Sequence, residues 1–241
     1  MKVNRLIAAI AAIALCAIPV VSHVACAQGA TAKPKIGMIG SGNVGSNLGR
    51  VWANAGYEVM FSSRDIAVDE VLAARIGSNA RAGTPAEAAA FGQVLVFAVP
   101  YGALPELGKS LGAALKGKVI IDASNPFAQR DGEIANEARA VGAGVMSARL
   151  LPGARIVRAF NAVGAARMGA VHEIPGRGVG MPIASDDAQA IEIASKLIRD
   201  IGFEPVLVGG LAMGKHLLPG TPLAGEHSPD EIRKIAATLT P

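Results

Sequence analysis

Apolar residues in this chain alternate between short continuous runs and stretches with helical spacing. Continuous runs of branched and aliphatic residues are typical of strands buried on both faces of a parallel sheet. They predict strands at residues 36–39, 57–61, 94–99, 119–122, 155–160, 178–184 and 204–208, the last at a sheet edge because it contains Pro205. Helical spacing predicts helices near residues 44–55, 104–115, 132–141, 186–201 and 228–239, with shorter ones after Asp65 and Thr84. This rhythm indicates an α/β fold with a doubly wound, mostly parallel sheet and a small C-terminal extension.

Two of the predicted helices carry specific expectations about side chains. The first helix places Trp52, the one tryptophan of the sequence, on its core-facing side. We expect Asp65 to cap the N-terminus of the second helix. The core-facing side of that helix is predicted to consist of its spaced apolar residues, which are Val68, Val71, Leu72 and Ile76.

Three glycines follow the first predicted strand at the spacing G-x-G-x-x-G, in the sequence Gly40-Ser41-Gly42-Asn43-Val44-Gly45. In a strand, turn and helix unit the first glycine allows a sharp turn, the second lets the backbone approach a pyrophosphate, and the third lets helix and strand pack closely. The helix N-terminus would then direct its free N–H groups at the phosphates. The motif therefore predicts a dinucleotide site in a Rossmann-type domain.

The second predicted strand ends in Ser63, Arg64 and Asp65, where a Rossmann unit reads the ribose of the adenosine half. Ser63 and Arg64 provide a hydrogen-bond donor and a positive charge, which suit the 2′-phosphate of NADP. Asp65 lies about where NAD enzymes place the carboxylate that binds the 2′-hydroxyl. We favour NADP, and NAD remains the alternative.

Composition places the chain among globular proteins, with 51% hydrophobic and 17% charged residues over 241 positions. Part of the apolar content lies in residues 1–27, where Lys2 and Arg5 precede an uncharged stretch and Ala25-Cys26-Ala27 resembles a cleavage site. We predict a secretory signal peptide at 1–27, a linker at 28–34 and a single domain at 35–241. An uncleaved anchor and lipidation at Cys26 are the alternatives.

Cleavage would have two consequences for the mature chain. Both cysteines, Cys16 and Cys26, would be lost, so no thiol would remain for a disulfide or a metal. The two basic residues Lys2 and Arg5 would also go, which lowers the excess of 23 basic over 19 acidic residues to a net charge of +2. This charge is too small to indicate binding to nucleic acid or to a membrane surface, and we expect no permanent membrane span after cleavage.

The strand ends together resemble a known family. The glycine motif, Ser63-Arg64, Val99-Pro100, Asn125-Pro126 and Ala159-Phe160-Asn161 are similar to the NADPH-dependent coenzyme F-420 reductases and to the oxidoreductase domain of membrane metalloreductases. The resemblance extends from Lys35 to about Leu217. It implies a Rossmann fold, bound NADP(H), and hydride exchange with a deazaflavin or flavin ring.

The resemblance also implies roles for individual residues. The glycine turn would hold the pyrophosphate, with Ser41, Ser63 and Arg64 on the 2′-phosphate. Val68 stands where the family often has a second basic residue, which indicates weaker NADP selectivity. The remaining assignments are Val99 and Pro100 beside the ribose, Asn125, Pro126, Asn161, Ala162 and Val163 near the nicotinamide, and the tail at 209–241 beside the second substrate.

No side chain stands out as a catalytic acid, base or nucleophile. Hydride transfer between two cofactors needs stacked, oriented rings and no side-chain base, so this pattern suits the leading hypothesis. His172, His216 and His227 are candidates by default, and Tyr101 would either close over the cofactor or pack at a strand end. The competing hypotheses are a non-catalytic dinucleotide sensor and a reductase of a small carbonyl or imine. A homodimer is a further expectation.

Export and NADP binding are in conflict, because pyridine nucleotides are cytoplasmic and residues 1–27 lack the twin arginine of a signal that exports folded proteins. We predict a periplasmic or secreted protein. The alternative is a cytoplasmic protein whose translation begins downstream of Met1.

Overall fold

A computed structural model describes residues 32–170 and 178–241 of the chain. Eight strands in this part form one sheet in the order β3-β2-β1-β4-β5-β6-β7-β8. Neighbouring strands are parallel except for the pair β6 and β7, which is antiparallel. The strands are β1 (Ile36–Ile39), β2 (Val59–Ser62), β3 (Ala80–Ala82), β4 (Val94–Phe97), β5 (Val119–Asp122), β6 (Arg155–Arg158), β7 (Val179–Ala184) and β8 (Phe203–Gly209). The predicted doubly wound, mostly parallel sheet is confirmed.

Helices connect consecutive strands and cover both faces of the sheet. They are α1 (Asn43–Asn54), α2 (Ile66–Ile76), α3 (Pro85–Phe91), α4 (Leu104–Leu115), α5 (Ala128–Asp131), α6 (Glu133–Val141), α7 (Ala143–Leu150), α8 (Ala165–Ala170), α9 (Ala188–Arg199) and α10 (Pro229–Ala236). Short 3-10 helices at Tyr101–Ala103 and Leu211–Leu217 complete the described structure.

Two apolar layers enclose the sheet. One contains α1, α9 and the buried Trp52, whose indole N–H donates to the Leu197 carbonyl at 2.9 Å. The other contains α3, α4 and α7, with Phe97 and Leu104 at its centre. The prediction that Trp52 belongs to the core is therefore confirmed, as is the edge position of β8.

The predicted core side of α2 is partly wrong. Val68 and Val71 are 57% and 52% exposed, whereas Asp69 and Ala73 are buried. The reason is that α2 packs mainly against the three-residue edge strand β3, so it covers a narrow strip that includes the half-buried Leu72 and Ile76. The cap at Asp65 is as expected, since its carboxylate accepts from the backbone N–H groups of residues 67 and 68.

Four of the strands and α-helices were not predicted from the sequence: β3, α5, α7 and the six-residue α8. The strand β3 is only three residues long and lacks a continuous apolar run, and α5 is only four residues long, so neither shows a recognisable pattern. The helix α7 begins at Ala143, and the glycines on either side of that residue, Gly142 and Gly144, obscure its helical spacing.

The predicted signal peptide lies outside the described residues, as does most of the predicted linker; residues 32–34 have no regular structure. Among the helices of residues 32–170 and 178–241, none combines the length and apolar character that a membrane crossing requires.

Candidate functional site

The candidate site lies at the carboxyl ends of the parallel strands. The strand order places β1 between β2 and β4. The chain passes from β1 to β2 and β3 on one side of it, then crosses back to β4 on the other side. Such a switch point opens a crevice at the strand ends, and ligands of open α/β sheets bind there. The sequence-predicted residues follow β1, β2, β4, β5 and β6, so all five groups lie along this one edge.

The first and third glycines of the motif perform the predicted structural roles. Gly40 has φ +99°, and its N–H donates to the Ser62 carbonyl at 2.9 Å. A Cβ atom at Gly45 would lie 1.9 Å from the Gly40 carbonyl oxygen, which no side chain could tolerate. Both glycines are therefore required for the turn and for the close packing of α1 on β1.

The second glycine leaves the start of α1 open. Gly42 is the N-cap residue, and no side chain accepts from the first-turn N–H groups, nor does an acidic residue occupy that turn. A Cβ atom at Gly42 would meet no atom of the described chain within 4 Å. Four other helices carry a capping side chain at this position, which is Asp65, Thr84, Asp187 or Ser228, whereas α4, α5, α6 and α7 lack one as α1 does. The N-terminus of α1 thus keeps its hydrogen-bond donors and its dipole available for an anion.

The end of β2 combines an exposed cation with a buried anion. Arg64 is exposed and forms no hydrogen bond or ion pair with the rest of the described chain. Ser63 is half-buried, and its hydroxyl lies 2.7 Å from Oδ2 of Asp69, a fully buried carboxylate in α2. A crevice of about 550 Å³ opens between the starts of α1 and α2, and its lining residues are Ser41, Ser46, Ala67, Val68, Val71, Leu72 and Arg75.

The end of β4 separates exposed from buried residues. Pro100 is exposed, and the half-buried Val99 lies beside the glycine turn, since a Cβ atom at Gly40 would be 2.8 Å from Val99 Cγ1. Tyr101 is completely buried, and its hydroxyl donates to the Ala143 carbonyl at 2.8 Å. Burial, with a smaller contribution from the charge of Asp122, raises the pKa of Tyr101 to about 12. Tyr101 therefore packs at the strand end, which decides between the two roles considered for it.

The ends of β5 and β6 are joined by a buried ion pair. Arg158 Nη1 donates to Asp122 Oδ2 at 2.6 Å and to the Ser124 carbonyl at 2.7 Å, and both charged side chains are 0% exposed. Gly144 and Gly214 make room for the arginine, because a Cβ atom at either would lie 3.2 Å from Arg158 Cγ. The Nε and Nη2 atoms of Arg158 are buried without a partner among the described residues.

Two asparagines bind the loops after these strands to each other. Asn125 Nδ2 donates to the Asn161 carbonyl at 2.9 Å, and Asn161 Nδ2 donates to the Ser124 carbonyl at 3.3 Å. Phe160 has φ +64°, a conformation that is costly for an aromatic residue and that reverses the chain directly before Asn161. The Oδ1 atoms of both asparagines are buried and lack a partner in the described part of the chain.

Comparison with known proteins identifies the family. Residues 35–126 match the family model described as NADP oxidoreductase, coenzyme F420-dependent. The F420-dependent NADP reductase of Methanothermobacter marburgensis is 34% identical in a 207-residue alignment that covers 76% of this chain and 87% of that protein. The chain belongs to the F420-dependent NADP reductase family.

Two further similarities agree with this family assignment. Metalloreductase STEAP3 of Rattus norvegicus is 29% identical over 187 residues, which is 76% of this chain but 36% of that longer protein. The crystal structure of hypothetical protein SMa0349 from Sinorhizobium meliloti superposes with a TM-score of 0.67 at 26% identity, covering 81% of this chain and 95% of that one.

The match to the family model includes the ends of β1, β2, β4 and β5, and thus the predicted residues from Gly40 to Pro126. Asn161, Ala162 and Val163 lie beyond the matched range, and the structure brings this loop to the same edge through Asn125. Of the histidines in the tail, His227 lies two residues from Gly225, whose N–H donates to the Ala162 carbonyl at 2.9 Å. His216 and His227 each contact a backbone carbonyl within the tail, at 2.8 and 3.3 Å, and His172 lies outside the described residues.

In this member of the F420-dependent NADP reductase family, sequence reasoning missed three buried charged residues near the site: Asp69, Asp122 and Arg158. A charged residue at the end of an apolar run, as in 119–122 and 155–158, is a signal that could have indicated the ion pair. Asp69 has a weaker signal, because an acid near the start of a helix looks like an ordinary surface residue in the sequence.

Proposed function

We propose that this protein is an NADP(H)-dependent oxidoreductase that transfers a hydride between the nicotinamide and a flavin or deazaflavin ring, such as coenzyme F-420. The observation that carries the proposal is the uncapped N-terminus of α1 behind Gly42, with Ser63 and Arg64 at the adjacent strand end. Free N–H groups there suit a pyrophosphate, and a cation beside them suits a 2′-phosphate.

The residues present fit a dinucleotide along the whole edge. The open space before Gly42 admits a pyrophosphate against Ser41, Asn43 and Val44, where a side chain at residue 42 would intrude. At the other end, the partnerless Oδ1 atoms of Asn125 and Asn161 are acceptors that suit the amide donors of a nicotinamide carboxamide. Val99, Pro100, Pro126, Ala162 and Val163 would contribute the apolar contacts between these two ends.

The protein's own contribution to the reaction is orientation. NADP(H), when bound, supplies the hydride chemistry. The charged groups that contact the loops after β5 and β6 bind within the protein. Asp122 and Arg158 are buried and paired with each other, and the side chains of Arg130 and Arg139 donate to the Asn125 and Pro126 carbonyls at 2.7 and 3.1 Å. These groups hold the loops after β5 and β6 in place, so that the two rings can meet in a productive geometry.

The tail at 209–241 supports a pocket for the second substrate. The N–H of Gly225 donates to the Ala162 carbonyl at 2.9 Å, which places the tail against the loop assigned to the nicotinamide. The 3-10 helix Leu211–Leu217 packs on α7 and β6 beside Arg158. A ring bound near this loop would therefore contact tail residues.

The test is oxidation of NADPH by the purified protein with a panel of flavin, deazaflavin and ferric acceptors. We expect oxidation that depends on a flavin or deazaflavin. Tight nucleotide binding with no acceptor-dependent oxidation would refute the enzyme and favour a sensor. Oxidation driven by a small carbonyl or imine without any flavin would favour that reductase instead.

We also propose export to the periplasm or the exterior and assembly as a homodimer, both from the sequence. Cell fractionation with N-terminal sequencing tests export, because a mature protein that begins near Gln28 would establish cleavage. A cytoplasmic protein that retains residues 6–21 would refute it. Sedimentation of the purified protein measures the oligomeric state directly.

A further inference from the structure

Asp69 is a buried carboxylate with an incomplete set of partners. It is 0% exposed, its Oδ1 atom has no hydrogen-bond partner in the described structure, and no cation of the described residues lies within ion-pair distance. Burying a carboxylate without a cation costs free energy, so each hydrogen bond that the carboxylate does accept is costly to break. Its one hydrogen-bond partner is the hydroxyl of Ser63, at 2.7 Å from Oδ2.

The contact with Asp69 decides which way the Ser63 hydroxyl points. A serine hydroxyl has one hydrogen and two lone pairs. The hydrogen is directed to the carboxylate at 2.7 Å rather than to the Asp65 carbonyl at 3.1 Å, because the shorter contact is to a charged acceptor. One lone pair accepts the Asp65 N–H at 3.2 Å. Ser63 is left with one free lone pair, so it can accept a hydrogen bond and cannot donate one.

An acceptor at this position has a direct consequence for the adenosine ribose. A 2′-hydroxyl donates a hydrogen bond, and NAD enzymes bind it with a carboxylate at the end of the second strand. A 2′-phosphate needs donors, and here Arg64 alone of the pair Ser63-Arg64 supplies them, with the negative charge of Asp69 behind Ser63. Turning the Ser63 hydrogen toward a phosphate would leave both oxygens of Asp69 without partners.

We propose that Asp69 acts through Ser63 as a specificity-determining residue that lets the site bind NAD(H) as well as NADP(H). Asp69 and Ser63 together replace the strand-end carboxylate of an NAD enzyme, while Arg64 retains the 2′-phosphate. The inference rests on the proposed function, since it concerns the adenosine end of the same dinucleotide site. The exposed Asp65 does not perform this role, because its carboxylate accepts hydrogen bonds from the first turn of α2 and caps that helix.

The experiment measures dissociation constants for NADPH and NADH by titration of the full-length protein, and repeats the comparison with adenosine 2′,5′-bisphosphate and 5′-AMP. The wild type should bind the two nucleotides within about tenfold of each other. Asp69→Asn should raise the preference for NADPH by about tenfold, because the charge behind Ser63 is lost and the new amide NH2 can donate to Ser63 Oγ, which frees the Ser63 hydrogen. A shift of the ratio identifies the specificity role, which loss of folding alone would not produce.

Glu70→Gln is the matched control, because it removes a neighbouring charge from the exposed side of α2. It should leave the NADPH to NADH ratio unchanged. A wild-type preference for NADPH above about a hundredfold, which is about 2.7 kcal/mol, would overturn the proposal for Asp69 even if Asp69→Asn failed to fold. An equal ratio in Asp69→Asn and Glu70→Gln would overturn it as well. If the wild type bound neither nucleotide, the proposed function itself would fail.

Discussion

The two ends of the proposed dinucleotide site are built from different groups, and we name them the phosphate end and the nicotinamide end after the ligand groups proposed for them. At the phosphate end, backbone N–H groups of α1, the half-buried Ser63 and the exposed Arg64 line the site. At the nicotinamide end, the loops after β5 and β6 are held by the fully buried pair Asp122 and Arg158. Exposed residues of the phosphate end, such as Arg64, can therefore change at little cost in stability, whereas changes at the nicotinamide end alter ligand geometry and the stability of the fold together.

The largest effect is expected from Arg158→Met at the nicotinamide end. The change leaves Asp122 buried without its cation, so the free energy of unfolding should fall by about 3–5 kcal/mol. Urea denaturation measures this loss. Turnover of any protein that still folds should fall with it, because the loops that carry Asn125 and Asn161 lose their common anchor.

Arg155→Met on the same strand is the control for that experiment. Its pair with Asp187 is half-exposed, at 27% and 33% side-chain exposure, so its loss should be much less destabilising. Equal destabilisation by the two variants would contradict the distinction between a buried and an exposed pair.

A contrast between Gly42→Ala and Gly45→Ala separates binding from folding at the phosphate end. The methyl group at residue 42 meets no protein atom, so stability should change by less than about 1 kcal/mol. Affinity for the dinucleotide should fall by about a hundredfold, because the methyl group blocks the phosphate from the N–H groups. The methyl group at residue 45 meets the Gly40 carbonyl and should destabilise the fold itself. Thermal unfolding and nucleotide titration of both variants are the measurements.

Arg64→Ala tests how the phosphate end reads the ribose. Affinity for NADPH should fall by about tenfold with little change for NADH, because the exposed guanidinium contacts a 2′-phosphate and not a 2′-hydroxyl. Parallel titrations with both nucleotides measure the effect. Equal losses for the two would mean that Arg64 does not bind the 2′-phosphate.

The smallest effect concerns acid stability away from the site. A hydrogen bond from Arg155, with support from the N–H of Ala190, lowers the pKa of Asp187 to about 2. A carboxyl group whose pKa is lowered by folding stabilises the fold fully at any pH above the pKa of about 4 that it has in the unfolded chain. This contribution is lost as the pH falls toward 2. Asp187→Asn keeps a helix-capping side chain and should narrow the stability difference between pH 6 and pH 3. An unchanged difference in thermal midpoints would argue against the ion pair.

The sequence predicted the sheet and the geometry of the glycine turn well, because both depend on local patterns. Continuous apolar runs mark the strands, and three glycines at fixed spacing mark a turn whose geometry few other sequences allow. The nicotinamide end was predicted through family resemblance for Asn125 and Asn161, but the pair of Asp122 and Arg158 joins residues 36 positions apart. A charge at the end of an apolar run marks each of the two residues, but no local pattern shows that they pair with each other.

Side-chain environment was the other part that the sequence did not predict. Helical spacing placed Val68 and Val71 in the core, yet the edge strand β3 is too short to cover them, and Asp69 is buried instead. Which side of α2 faces inward depends on where the sheet ends. The proposed role of Asp69 follows from that outcome and could not be read from the order of residues.

The edge-to-face contact between Trp52 and Phe160 gives the protein a built-in optical reporter. The ring centres are 5.7 Å apart, and Phe160 directly precedes Asn161. Because the sequence contains one tryptophan, its emission arises from a single buried environment beside the turn that positions the nicotinamide loop. Movement of that turn on nucleotide binding would change the fluorescence without any attached dye, so binding and local rearrangement can be followed in the unmodified chain.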